Sequence, residues 1–302
     1  MKKLLFIFIG MLYFYSCSDS ENLTNKNEQE EFNLNYAQIG EAHNAGLDYV
    51  FSRLKLPTKV TTRTNQDSYV DLVEQEELIQ DVNTLCTEYV TEQIKNCDSA
   101  TQNAFLLYGG EAKFKEDIEI VSIKEIEMKD LEANISSTAN EYVNRLDILL
   151  NNTSISIDNL QLQLNQMESE IQNMLTSEKD KSIILSTISV AKSTSTYWNE
   201  NGNKWGEMCG HKDYKLIGST RSSIWRSDAF GAAGFGLHMW INGTAGAIIS
   251  TGPSGWIAMG LILGGAALES SAIAFLCEMK YIDRTPNNDI KIVDDFIIHK
   301  KH

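Results

Sequence analysis

Apolar residues recur at helical spacing through the first two thirds of the chain. Tyr36, Ile39, Leu47, Val50 and Leu54 share one face and predict a helix over 36–54. Leu72, Ile79, Val82, Cys86, Val90, Ile94 and Cys97 predict a longer helix over 69–97. Its far side carries Glu74, Glu76, Glu77, Asp81, Glu88 and Glu92, a solvated face without the alternating oxygen ligands and glycine of a calcium loop. The pattern lapses between Ala104 and Ile120, where Tyr108-Gly109-Gly110 marks a turn. It resumes with Leu131, Ile135, Ala139, Tyr142, Leu146 and Leu149. After a polar connection at 151–156, Ile157, Leu160, Leu164, Met167, Ile171 and Met174 form a heptad seam. The short connection predicts an antiparallel pair, with an internal partner for the seam and a helix of another protein as the alternative. A last helix over 183–198 leads to Tyr197-Trp198 and Trp205, whose aromatics are expected to close the bundle against Asn- and Gly-rich loops.

The pattern then changes. From Ser227 to Glu278 there is no Lys or Arg, and Asp228 and Glu269 are the only acids before Glu278. Two stretches, 228–249 and 256–277, are joined by Ser250-Thr251-Gly252-Pro253-Ser254-Gly255, a strong turn signal. Gly231, Gly234, Gly236, Gly243 and Gly246 crowd the first; Gly260, Gly264, Gly265, Ala267 and Ser271 crowd the second. Each glycine costs a helix about 1 kcal/mol relative to alanine, and close backbone approach is what compensates. The segment therefore reads as a tightly packed helical hairpin. Its length suits a bilayer crossing, with Trp240 and Trp256 near an interface. His238, Asn242 and Glu269 would be costly at the bilayer midplane, which favours a hairpin buried in the protein.

Composition narrows the function classes. Among 302 residues, 41 Asp and Glu outnumber 26 Lys and Arg, for a net charge of −15. Such a chain lacks the basic face that phosphate neutralisation needs, which excludes generic nucleic-acid binding. The start of the chain bears on location. Two lysines precede an apolar run from Leu4 to Tyr15, shorter than the roughly 20 residues that span a bilayer and of the length of a secretory signal. Phe14-Tyr15-Ser16-Cys17 resembles a bacterial lipobox, with Phe and Tyr departing from the usual residues at the outer positions. The resemblance implies lipid attachment at Cys17 after removal of residues 1–16, and acyl chains anchor through about 0.8 kcal/mol per buried methylene. An uncleaved anchor or a secreted protein is the alternative. Loss of the two lysines would move the charge from −15 to −17. Residues 17–34, rich in Asn, Glu, Gln and Lys, read as a flexible tether. The acids just after Cys17 resemble the surface-export signal of Bacteroidota lipoproteins, implying the outer leaflet of the outer membrane.

Three short motifs carry a wider resemblance: Ile39-Gly40-Glu41-Ala42-His43-Asn44-Ala45-Gly46-Leu47, Tyr197-Trp198 with Trp205, and Ser227-Asp228-Ala229-Phe230-Gly231-Ala232. In this order they resemble a group of Bacteroidota cell-envelope lipoproteins with a C-terminal glycine-rich hairpin. The resemblance spans most of the mature chain and supplies neither substrate nor catalytic residue. The hairpin is separately similar to membrane-active segments of some bacteriocins.

Candidate chemistry is sparse. His43 lies within an apolar stripe, where a histidine is more often a hydrogen-bonded core residue than a ligand or base; Glu41 and Asn44 make no metal spacing with it. With Cys17 lipidated, Cys86, Cys97, Cys209 and Cys277 remain in a compartment that permits disulfides. Cys86 and Cys97 would lie about 16 Å apart along one helix, beyond the roughly 7 Å a disulfide spans. Cys209 and Cys277 bracket the hairpin, and either a bridge between them or two thiols fits. Cys209-Gly210-His211 pairs a thiol with an imidazole but lacks a third ligand, so no metal site is expected. Neither a phosphate-binding glycine loop nor a serine-hydrolase elbow is present, and Ser254 is turn chemistry. No carboxylate pair stands out for acid and base work.

These observations predict an all-α protein, a bundle of long antiparallel helices with a glycine-rich helical hairpin. They divide it into a signal peptide (1–16), a tether (17–34), a helical bundle (35–205), a connector and hairpin (206–277), and a tail (278–302) with alternating Ile290, Ile292 and Phe296. The expected role is interaction or structure at the outer membrane, with the cell surface as the expected side, without catalytic residues or cofactor. The partners are the membrane, through the N-terminal lipid, and an envelope or cell-surface protein; no nucleic acid or small-molecule substrate is implied. Insertion of the hairpin into a bilayer is the alternative.

Overall fold

A computed structural model describes residues 36–57, 60–61, 68–69, 72–123, 128–175 and 177–282. Cys17, the tether and the 283–302 part of the tail lie outside the described residues. The protein is an all-α helical bundle. Its helices are α1 (Ala37–Arg53), α2 (Leu72–Lys95), α3 (Ser99–Tyr108), α4 (Gly110–Ile123), α5 (Met128–Asn134), α6 (Ser137–Leu150), α7 (Ile157–Met174), α8 (Glu178–Met208), α9 (Gly218–Ile241), α10 (Thr244–Ile249) and α11 (Pro253–Glu278). Between α1 and α2 two short antiparallel strands, β1 (Val60–Thr61) and β2 (Ser68–Tyr69), pair Val60 with Tyr69 and Thr61 with Ser68.

Local chemistry sets the helix starts. Asp98 accepts the Thr101 amide at 2.7 Å and opens α3. Ser136, Ser156 and Ser177 accept the amides of Ala139, Asn159 and Asp180 and open α6, α7 and α8. Pro253 occupies the first turn of α11, where its missing N–H costs nothing.

Several sequence expectations are corrected here. The apparent lapse over 104–120 is two helices, α3 and α4, separated by Gly109 in the left-handed region at φ 119°. The Asn- and Gly-rich stretch after Trp198 is not a loop: α8 runs on to Met208, because Trp198 and Trp205, seven residues apart, both need the core. The first arm of the hairpin breaks at Asn242-Gly243, with Gly243 at φ 75°, and α10 forms the cap between the arms. The heptad seam is real, with Leu160, Leu164, Met167 and Ile171 buried, but it packs chiefly on α8 rather than on the preceding α6.

Four helices make the centre, in the cyclic order α1, α11, α9, α8. At one end the Tyr36 ring meets Trp256 edge-on at 6.4 Å, and the Trp240 indole N–H donates to Ser182 at 2.9 Å. At the other end Phe51 packs on Trp205, and Thr220 donates to Glu278. Hence α1, α8 and α11 start at the first end and α9 runs against them. The glycine hairpin, α9 and α11, is core, and α2, α3 and α10 cover α11. Gly264 shows why small residues are needed: a Cβ there would sit 2.9 Å from the Ile39 carbonyl oxygen and 3.1 Å from the His43 amide nitrogen.

Candidate functional site

The three motifs that are far apart in sequence converge at the middle of this four-helix centre. His43 on α1 and Asp228 on α9 are both fully buried, with His43 Nε2 3.7 Å from Asp228 Oδ2. Trp198 on α8 donates its indole N–H to Asp228 Oδ2 at 3.1 Å and to Ser271 on α11 at 3.1 Å. The Thr194 hydroxyl donates to the same Asp228 oxygen. Trp198 also stacks on Phe275 at 4.8 Å and 11° and meets Trp205 at 5.2 Å. One carboxyl group thus gathers contacts from all four central helices.

The hydrogen bonds assign the proton. His43 Nδ1 lies 2.9 Å from Asn44 Oδ1, an acceptor, so Nδ1 carries the hydrogen. The Asn44 amide in turn donates to the Ser193 carbonyl at 3.1 Å. His43 Nε2 is then a bare lone pair facing a carboxyl, the arrangement suited to a neutral imidazole and a protonated acid. Burial favours the neutral form of both groups: it pushes His43 down to about 4, against a smaller upward pull from Asn44. Burial likewise pushes Asp228 up to about 7, partly opposed by the bonds from Thr194, Ser271 and Trp198.

A second polar cluster lies near the capped end. Asp117 on α4 accepts from the Tyr108 hydroxyl at 2.7 Å, from Lys113, and from His238 of α9 at 2.9 Å. Burial pushes the Asp117 carboxyl up, but these three donors outweigh it and hold the group below the usual value. Tyr197 donates to Asp48 at 3.0 Å and accepts from the Trp205 indole at 3.0 Å, tying α8 to α1. In the core, burial and then the charge of Glu269 push the Cys86 thiol well up.

The predicted site residues scatter. Cys209 is buried at the end of α8, beside exposed His211, and Cys277 is half-buried near the end of α11. The Tyr281 hydroxyl reaches the Cys209 carbonyl at 3.5 Å, so the two helix ends share one corner of the molecule. His43 sits beside Thr194, fifteen residues and about 22 Å of helix away from Cys209. His43, Cys209 and His211 therefore do not assemble a catalytic group. No cluster of three or more His, Cys, Asp or Glu suited to a metal occurs among the described residues.

Sequence reasoning placed His43 in the core but did not pair it with Asp228, nor foresee Thr194 and Ser271. The available signal was the isolation of Asp228: a lone acid opening a long uncharged stretch must find partners once buried. At 3.7 Å the imidazole nitrogen and the carboxyl are beyond hydrogen-bond reach, and what the arrangement does is structural: it packs and links the four central helices in register. At zero exposure it offers no approach to a substrate. Comparison with protein-family models, with curated proteins and with solved structures finds no match to this chain.

Proposed function

We propose that the chain is a lipid-anchored protein of the bacterial outer membrane, held through Cys17, whose helical body works by contact with envelope or cell-surface neighbours rather than by catalysis. One observation carries the non-catalytic part of this reading. The groups with perturbed protonation that the motifs bring together, His43 and Asp228, are sealed inside the four-helix centre, where they build the fold. The lipid part rests on the lipobox-like run ending at Cys17. Mass spectrometry of the N-terminal peptide from a membrane fraction tests it: an acylated Cys17 with residues 1–16 removed is expected. An unprocessed N-terminus in the cytosolic fraction overturns it.

A second reading, hairpin insertion into a target bilayer, is favoured by α11, the one helix among the described residues long and apolar enough to cross a membrane. A helix of this kind is also what a protein core requires, and α11 is largely covered here. Dye release from liposomes by the purified protein, abolished by deleting 228–277, would establish insertion in place of the contact reading.

A further inference from the structure

The capped end of the bundle combines an uncharged turn with exposed aliphatic side chains and half-buried tryptophans. From Ala229 to Leu268 the chain carries no Lys, Arg, Asp or Glu, and the turn of this segment, with α10 inside it, forms that end. Ile241 is 63% exposed there. Neighbouring α3, which packs on α10 and α11, presents Leu106 at 67% and Leu107 at 59% exposure. Trp240 and Trp256 are half-buried at the same end, the position tryptophan takes at a membrane boundary. Charges border this turn: Glu178, which opens α8, lies near enough to Tyr36 to push its hydroxyl up, after burial, while Lys113 is engaged with Asp117 and Lys179 with the Asn134 carbonyl.

The described body also begins here. Tyr36, which leads into α1, rests on Trp256. The eighteen residues between Cys17 and Tyr36 reach at most about 65 Å, and they join the body beside the uncharged 241–257 turn. The rest of the surface belongs to a chain of net charge −15, which anionic headgroups repel. From this placement we infer that the 241–257 turn, with Leu106 and Leu107, is a second contact with the bilayer that holds the anchor, seating Ile241 and the two leucines in the headgroup boundary. This rests on the lipid-anchor reading given above. It makes this turn membrane-facing, and it leaves the acidic sides and the opposite end, with Ile217 and Tyr214, directed at other partners.

The test uses the full chain, expressed with its leader, purified in detergent and reconstituted into phosphatidylethanolamine–phosphatidylglycerol vesicles carrying bromine-labelled acyl chains. Bromine is expected to quench tryptophan emission, and Trp256→Phe to remove a large part of that quenching. Ile241→Asp and Leu107→Asp replace exposed side chains, so circular dichroism should not change. Each is expected to weaken flotation of the unlipidated Cys17→Ser protein with vesicles by about tenfold. Vesicle-bound protein with an acylated N-terminal peptide but no quenching overturns the contact and leaves the anchor standing. Quenching with an unmodified N-terminus does the reverse. Undiminished quenching and flotation in the aspartate variants also overturn the inference.

Discussion

Replacing Asp228 by Asn should give the protein a pH dependence that the native pair hides. In the folded protein His43 is pushed down to about 4 and Asp228 up to about 7, whereas the ordinary values are 6.5 and 3.8. Folded and unfolded states therefore each hold one proton across the intervening range. In the unfolded chain it sits on the imidazole, and in the folded protein on the carboxyl. With equal proton numbers on both sides, the pair adds almost no slope of stability against pH. Asn at 228 keeps an oxygen for Thr194 and Trp198 and an amide for His43 Nε2, so the helices stay linked. It leaves His43 alone, with a folded value far below its unfolded one. The unfolded state then binds the extra proton as pH falls from about 6.5 to about 4. The stabilisation present at neutral pH is lost over that window, by about 3 kcal/mol in total. Urea denaturation followed by tryptophan fluorescence between pH 4.5 and 8, read as the difference from wild type, checks this. His43→Gln should do the opposite: the stranded Asp228, with its raised folded value, is most stabilising below about 3.8, and the variant weakens as pH rises toward 7. A D228N profile parallel to wild type across the range would refute the neutral-pair assignment.

Other substitutions probe different contacts. Gly264→Ala puts a methyl group 2.9 Å from the Ile39 carbonyl oxygen and should cost about 1–3 kcal/mol in urea denaturation. Gly260→Ala, whose Cβ would meet Ile39 Cγ1 at 3.5 Å, should instead stabilise by about 0.5–1 kcal/mol. Trp198→Phe keeps the stack on Phe275 but removes the N–H shared by Asp228 and Ser271; a loss of about 1–3 kcal/mol is expected by thermal denaturation. Asp117, held below the ordinary carboxylate value, stabilises the fold above that value and loses its contribution as pH falls through its own lower one. Asp117→Asn should therefore flatten the acid limb of the stability profile below pH 3.8.

Helices α1, α2, α6 and α7 were readable from spacing, because each keeps an exposed polar face opposite its buried stripe, even α1, which packs on both α8 and α11. Those with little exposed face were harder. Helix α8 hides serines and threonines as well as isoleucines, since Ser182, Ser186 and Thr187 return their hydroxyls to backbone carbonyls and pass as polar gaps in the pattern. Helices α3 and α4 are short, and the left-handed Gly109 between them looks like a loop when only residue types are seen. The burial of the hairpin followed from glycine spacing together with His238, Asn242 and Glu269. The pairing of His43 with Asp228 did not, because it joins residues 185 positions apart, and spacing carries no information at that range.

The position of α1 has a consequence for how the chain acquires its shape. Its first turn is held by Ser189, which accepts the Gly40 amide and donates to the Tyr36 carbonyl, across 149 and 153 residues. Its other flank lies on α11, the final helix of the described body. Contacts this distant make assembly slow, and the innermost layer cannot close before its last member emerges. Synthesis can thus near its end with the polypeptide still loosely assembled. Cooperative closure then waits for residues 253–278, whose arrival completes the centre.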